Sequence, residues 1–189
     1  MTFCVVVVPV RTYITSFDNC DRSSDPSQKT LLRGGPGLVS SRLDYYNSLL
    51  CGIAGNLLQK LQSLQNDATR LIARTGRREH ITPVLRELHW LPVRQRIDFK
   101  LAVLVHKVLH GQLLQYLAED CQLLTDIGRR PPRSADVLTC ASKRTRTRFG
   151  ERSSSVAGPC LWTLCLSHYV TRDISLVLFK RLLKTLWFV

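Results

Sequence analysis

The chain lacks most of the short patterns that announce catalysis or a metal centre. Its seven cysteines are Cys4, Cys20, Cys51, Cys121, Cys140, Cys160 and Cys165, and no two stand in the C-x-x-C spacing of a zinc ribbon or redox pair. Cys160 and Cys165, with His168 nearby, come nearest to a cluster, but they do not assemble four ligands locally. An odd number of scattered thiols reads as free cysteine in a reducing compartment. His106 and His110 are four apart, yet Lys-Val-Leu lies between them, with no glutamate to serve as a base. Ser153, Ser154 and Ser155 have no glycine elbow for a hydrolase nucleophile. Arg33 to Gly37 (RGGPG) has no following lysine and is not a phosphate loop. Aromatic residues are only 7% of the chain, so base-stacking platforms are scarce.

Long apolar runs are missing too. FCVVVVPV (3–10) is the strongest near the start and is too short to cross a bilayer. A basic stretch before it and a small-residue cleavage site after it are both wanting, so it is no signal peptide. Val5–Val8 reads instead as a short β-strand. The expectation is an intracellular protein, nuclear or cytoplasmic, with no transmembrane segment.

What the chain does have is basic charge and leucine periodicity. Of its 189 residues, 27 are Lys or Arg and 14 Asp or Glu, for a net charge of +13. Such a balance favours polyanionic partners, with nucleic acid ahead of an anionic membrane. Hydrophobic residues reach 44%, enough for a core of ordinary size. Residues 1–37 combine the valine run with SSDPSQK and GGPG, which are turn and linker chemistry.

From Asn56 to Arg74 the pattern is helical. Leu57, Leu61, Leu64, Ala68 and Leu71 line one face, and Gln59, Lys60, Gln62, Ser63, Asn66, Asp67 and Arg70 the other. Gly76 is a plausible stop. Thr82-Pro83 reads as the start of a short helix that Thr82 caps. Pro92 ends that helix at Leu91 and opens the next, which runs to His110 with Gly111 closing it. Val93, Ile97, Leu101, Leu104 and Val108 share its buried face, and Trp90 locks the bend. Residues 112–117 add a helical turn. Residues 125–155 lose periodicity and carry Arg129, Arg130, Arg133, Lys143, Arg144, Arg146, Arg148 and Arg152. They read as a basic loop, with a short strand near 137–139. The last segment is an amphipathic helix, with Leu176, Phe179, Leu183 and Leu186 opposite Lys180, Arg181 and Lys184.

Several ordered blocks carry a family likeness: SRLDYYNSLL (41–50), LQKLQSLQNDATRLI (58–72), HITPVLRELHWLPVRQRIDFK (80–100), GRRPPRSAD (128–136), RTRTRFGERSSSVAGPCLW (144–162) and FKRLLKT (179–185). Together they resemble the helical thumb and C-terminal tail of reverse transcriptases from LINE-type (non-LTR) retrotransposons. In that family the thumb grips the template–primer duplex beside the palm. The palm's metal-holding motif, Tyr/Phe-x-Asp-Asp, has no counterpart here, because no two aspartates adjoin. Glu119-Asp120 is the only adjacent acidic pair, and it lies past the thumb-like blocks. After Leu161-Trp162 the chain reads TLCLSHYV where the family turns at Leu-Pro, and residues 1–37 do not resemble the palm.

The resemblance implies a mainly α protein: a small thumb-like helical bundle at 41–124, a basic loop or linker at 125–174, and an amphipathic helix at 175–189. A disordered or β-prone segment of unrelated origin occupies 1–40. It implies a phosphate-contacting set of Arg70, Arg74, Arg77, Arg78, Arg94 and Arg96, with no catalytic residue, no metal and no cofactor. The expected partner is an RNA–DNA or DNA duplex bound weakly and without regard to sequence, with a separate palm as a docking partner and a membrane not expected. Two other readings stay open. One is an open reading frame with no selected role, its leucine faces left exposed. The other is a basic amphipathic helix at the C-terminus that meets an anionic membrane or a protein groove.

Overall fold

The computed structural model describes residues 35–45, 47–113, 115–125, 139–163 and 174–188. Those residues are mainly helical, and no strand occurs among them. The chain divides into two compact units, Met1–Ile97 and Asp98–Val189. The expected strand at Val5–Val8 and the arginines at 129, 130 and 133 lie outside the described residues.

The first unit contains α1 (Gly35–Asp44), a 3-10 turn (Asn47–Leu50), α2 (Gly55–Ala73), α3 (Ile81–Glu87) and the start of α4 (Val93–Leu109). α1 begins inside the segment expected to be linker. Pro36 sits in its first turn, where a missing N–H costs no bond. Val39 and Leu43, four apart, are buried against the core, which stabilises the helix more than Gly35 and Gly37 weaken it. The core gathers Val39, Leu43, Leu50, Leu61, Ala68, Leu85, Trp90, Val93 and Ile97.

α2 is amphipathic as expected, but its buried line is rotated. Leu61, Gln65, Ala68 and Thr69 are buried, and Leu58, Leu64 and Ile72 pack against the core. Leu57 and Leu71 are only half-buried. The rotation follows from what α2 packs against, namely α1 and α3, and from glutamine hydrogen bonds described below. The helix ends one turn before Gly76, with Arg74 in the left-handed region at φ 53° and its N–H on the Arg70 carbonyl.

α3 starts two residues earlier than the Thr-Pro signal suggested. His80 is the cap residue and makes no side-chain capping bond, while Thr82 and Pro83 fall within the first turn. Its end is a double turn closed by His89 at φ 53°. Trp90 N–H donates to the Leu85 carbonyl at 2.8 Å and His89 N–H to the Arg86 carbonyl at 3.0 Å. Leu85 and Trp90 meet in the core, which completes a Schellman closure. α4 has the same closure built on glycine. Gly111, at φ 65°, donates to Val108, and Gln112 to Lys107.

The second unit holds the rest of α4, α5 (Gln115–Ala118), α6 (Arg148–Glu151), α7 (Ser154–Leu161) and α8 (Leu176–Trp187). Its core includes Ala102, Val105, Val108, Cys121, Leu123, Cys140, Trp162, Phe179 and Leu183. Of the face expected on α4, Val93, Ile97, Leu101 and Val108 are buried and Leu104 is half-buried. Leu123 and Cys140 form an isolated antiparallel bridge, with Leu124 N–H on Thr139 O and Ala141 N–H on Gln122 O. It stands beside the strand expected at 137–139, of which only Thr139 is described.

The region expected as loop or linker over 125–174 contains α6 and α7, so that expectation is corrected. Thr147 caps α6 by accepting from Gly150 N–H. α7 is short and apolar, and a Cβ at Gly158 would lie 2.9 Å from Val105 Cγ2, so only glycine admits this approach. Tertiary contact of that kind holds a helix that periodicity does not reveal. On α8, Phe179 and Leu183 are buried as expected, but Leu186 is exposed. Trp187 takes its place and packs edge-on to Phe99 at 6.3 Å.

His106 is buried. Its ring stacks on Phe179 at 4.3 Å and on His110 at 4.0 Å. Nε2–H donates to the Ile174 carbonyl at 3.2 Å, and buried Nδ1 has no hydrogen-bond partner. Burial holds its basicity below the ordinary imidazole value of 6.5, the nearby His110 adds to this, and the Ile174 bond opposes it. Burial likewise pushes the Cys121 thiol up to about 11 and the Cys140 thiol up to about 12. Both stay protonated and poorly nucleophilic at neutral pH.

Two outcomes follow. A His89→Gly variant, freed of a side chain in the left-handed region, gains about 0.5–1 kcal/mol in denaturant unfolding, whereas His89→Val loses stability. Equal stabilities would contradict the strained closure. Below pH 6.5 the unfolded chain takes up a proton at His106 that the folded chain resists. Stability is therefore full above that value and falls as pH drops toward the lowered folded value. His106→Phe flattens this part of the pH–stability curve; an unchanged slope would remove His106 from the account.

Candidate nucleic-acid interface

The end of α2 and the turn after it carry four of the expected arginines. Arg70 lies in the last helical turn with its side chain 24% exposed, and pairs with Asp67 at 3.6 Å. Its Nε is buried without a partner. Arg74 leaves the helix in the left-handed conformation, and Arg77 and Arg78 follow in a turn tied by Glu79 N–H to the Gly76 carbonyl. Arg74, Arg77 and Arg78 are all exposed. Within 74–80 only Glu79 opposes them. The last carbonyls of α2 present partial negative charge, which favours nearby cations by about 0.3–1 kcal/mol. That effect accounts for the presence of cations here, but it leaves their guanidinium ends in water and free to bridge to phosphate oxygens.

Arg94 is exposed at the second residue of α4. A cation at a helix N-terminus is opposed by the dipole, by a similar few tenths to 1 kcal/mol. The dipole therefore gives no reason for this charge, although Asp98, four residues on, is a helix-face acid that favours it by a few tenths of a kcal/mol, about 0.3. Arg86, also exposed, sits in the last turn of α3, where the dipole does favour it.

Arg96 leaves the phosphate-contacting set. It is 7% exposed. Its Nε donates to the Leu91 carbonyl at 2.9 Å, and its Nη1 donates to Asp44 Oδ1 at 2.9 Å and to Ser40 Oγ at 3.1 Å. Its guanidinium lies 5.6 Å from the centre of the Trp90 ring. Its Nε and Nη1 are thus engaged by protein, and its burial leaves little of the fork to meet a phosphate. Arg94 and Arg96, two apart on a helix, lie about 200° from each other and do not share a face; Arg96 falls between Val93 and Ile97 on the buried side. A second signal was Asp44, an acid placed far upstream in the SRLDYYNSLL block.

Three amides also escaped notice. Gln62 Oε1 accepts from Val93 N–H, the first free donor of α4, at 2.9 Å. Gln65 Nε2 donates to the Leu91 carbonyl at 2.9 Å, and Asn47 Nδ2 to the Arg96 carbonyl at 3.4 Å. Periodicity puts Gln62 on the polar face of α2, but it is half-buried here. These bonds set the angle at which the α3–α4 bend meets α2, and so hold Arg94 in place.

The second unit offers a poorer surface. Lys143 pairs with Asp120 at 3.0 Å. An open cleft of about 620 Å³ is lined by Glu119, Asp120, Gln122, Ala141, Ser142, Lys143 and Arg144. Its two carboxylates oppose an anionic ligand. Arg144 and Arg146 are exposed, and Phe149 is 82% exposed beside them in sequence.

Among the described residues no group of three His, Cys, Asp or Glu is placed to hold a metal ion, and no helix is long and apolar enough to cross a membrane. Cys165 and His168 lie outside those residues. Comparison with protein-family models, with curated proteins and with solved structures gives no match.

The interior role of Arg96 separates it from its neighbours by experiment. Arg96→Ala leaves Asp44 without its cation and the Leu91 carbonyl short of a donor, and costs about 2 kcal/mol or more in chemical denaturation. Arg96→Lys does not restore it, since Lys has no planar fork to hold three acceptors while lying over Trp90. Arg94→Ala, exposed, changes stability by less than about 0.5 kcal/mol. A stable Arg96→Ala protein would contradict the assignment.

Proposed function

We propose that the chain is a non-catalytic remnant of a LINE-type reverse transcriptase, retaining thumb and tail, that binds nucleic-acid duplexes through their phosphates without reading sequence. One observation carries this reading. Arg74, Arg77, Arg78 and Arg94 are exposed on a unit whose core and buried hydrogen bonds draw mostly on SRLDYYNSLL, LQKLQSLQNDATRLI and HITPVLRELHWLPVRQRIDFK, blocks that bear the resemblance. Those blocks thus support the arginines in a defined frame, as a thumb that grips a duplex would require. Arg70 contributes at the edge, partly engaged by Asp67. The absence of adjacent aspartates from the sequence supports binding without polymerase chemistry.

Phosphate contacts release counterions, so affinity falls as a power of salt concentration. Four or five contacts give a slope of log K against log salt of about −4 on B-form DNA. The test is fluorescence anisotropy with duplex DNA and an RNA–DNA hybrid between about 50 and about 200 mM salt. The double variant Arg74→Ala with Arg78→Ala should shallow the slope by about 2 and weaken all sequences alike. Binding indifferent to both salt and the double variant would end the proposal. So would primer extension by the purified chain with magnesium and nucleotides, because a remnant without a palm cannot join them.

A further inference from the structure

α8 is docked by only part of its apolar surface. Leu176, Phe179, Leu183 and Trp187 face the core of the second unit. Leu178, Leu182 and Leu186, each four apart, form a separate row along the outside, 53%, 43% and 38% exposed, with Val177 63% exposed nearby. The row is about 12 Å long at 1.5 Å per residue. Lys180, Arg181 and Lys184 are exposed on the same helix, and its sequence contains no acid. On a 100° wheel Arg181 lies between Val177 and Leu178, so basic and apolar arcs adjoin on the open side.

We propose that this face of α8 docks on an anionic lipid surface, with Leu178, Leu182 and Leu186 entering the acyl boundary and Arg181 and Lys184 reaching back to lipid phosphates. The charge pattern selects this occupant. A second copy would bring the same unopposed cations against one another. A nucleic acid satisfies the cations but offers leucine little apolar contact. A protein groove that took the leucine row would also have to supply a line of acids for Lys180, Arg181 and Lys184. A lipid interface supplies negative headgroups and apolar tails within the 5–10 Å that an in-plane helix enters, and long cationic side chains can lie along its apolar region with their ends at the phosphates. The other face of α8 stays on its own core, so insertion is shallow and reversible.

The test uses the full chain in co-sedimentation with vesicles of phosphatidylcholine alone or mixed with phosphatidylserine. A chain of net charge +13 adheres to anionic vesicles by charge alone, so the deciding variant keeps every charge: Leu178→Gln with Leu182→Gln and Leu186→Gln. All three leucines are at least a third exposed, and an unchanged thermal transition verifies the fold. Binding to the mixed vesicles should fall about tenfold or more in this variant, with little binding to neutral vesicles by either protein. Arg74→Ala with Arg78→Ala should leave the leucine-dependent fraction intact, so failure here is distinguishable from failure of duplex binding. Equal vesicle binding by wild type and the leucine variant overturns the proposal. Sedimentation that shows a dimer dispersed by the leucine variant also overturns it, in favour of a second copy.

Discussion

The carbonyl of Leu91 takes two side-chain hydrogen bonds, from Gln65 and from Arg96, and most of the first unit is arranged around that acceptor. Pro92 forces Leu91 out of helical conformation, which leaves its carbonyl in the interior without a backbone donor. A buried unsatisfied carbonyl costs about 1–3 kcal/mol. Gln65 satisfies it from α2, and Arg96 from the first turn of α4. Arg96 then carries its charge to Asp44 on α1. One proline-imposed bend thus joins α2 and α4 through a single oxygen, and the Arg96–Asp44 pair extends the link to α1. Trp90 closes one side of this knot by lying against the guanidinium.

This arrangement separates two kinds of arginine that look alike in sequence. Arg96 is surrounded by acceptors and an aromatic face, and its work is internal. Arg74, Arg77, Arg78 and Arg94 stand on the frame that Arg96 braces, and their guanidinium groups meet water. Phosphate binding needs such a frame, because flexible cations would lose more entropy on ordering. Arg94 is the informative member, since the dipole of its own helix opposes its charge.

The second unit solves a different problem. Its core is apolar and aromatic, with His106 held neutral between Phe179 and His110. An imidazole there fills a flat slot and satisfies the Ile174 carbonyl near the start of α8. The same ring cannot accept a proton cheaply, so the docking of α8 is bound to pH. The outer side of α8 keeps a leucine row beside lysine and arginine, the juxtaposition on which the proposed lipid docking rests.

Much was legible in the residues alone. The spans of α2, α4 and α8 follow from 3.6-residue periodicity, and the α3–α4 bend follows from Pro92, because these are local consequences of backbone sterics and hydrophobic spacing. Gly111 as the end of α4 is of the same kind. Other features required the fold. Which acceptors receive Arg96 depends on Asp44 and Ser40, more than fifty residues away in sequence, and no local pattern encodes that meeting. The rotation of α2, the burial of His106 and the helix at α7 likewise depend on which surfaces arrive opposite them. Periodicity tells which side of a helix is apolar; only packed neighbours decide which polar group is drawn inside, because its burial is tolerated only where distant partners complete its hydrogen bonds.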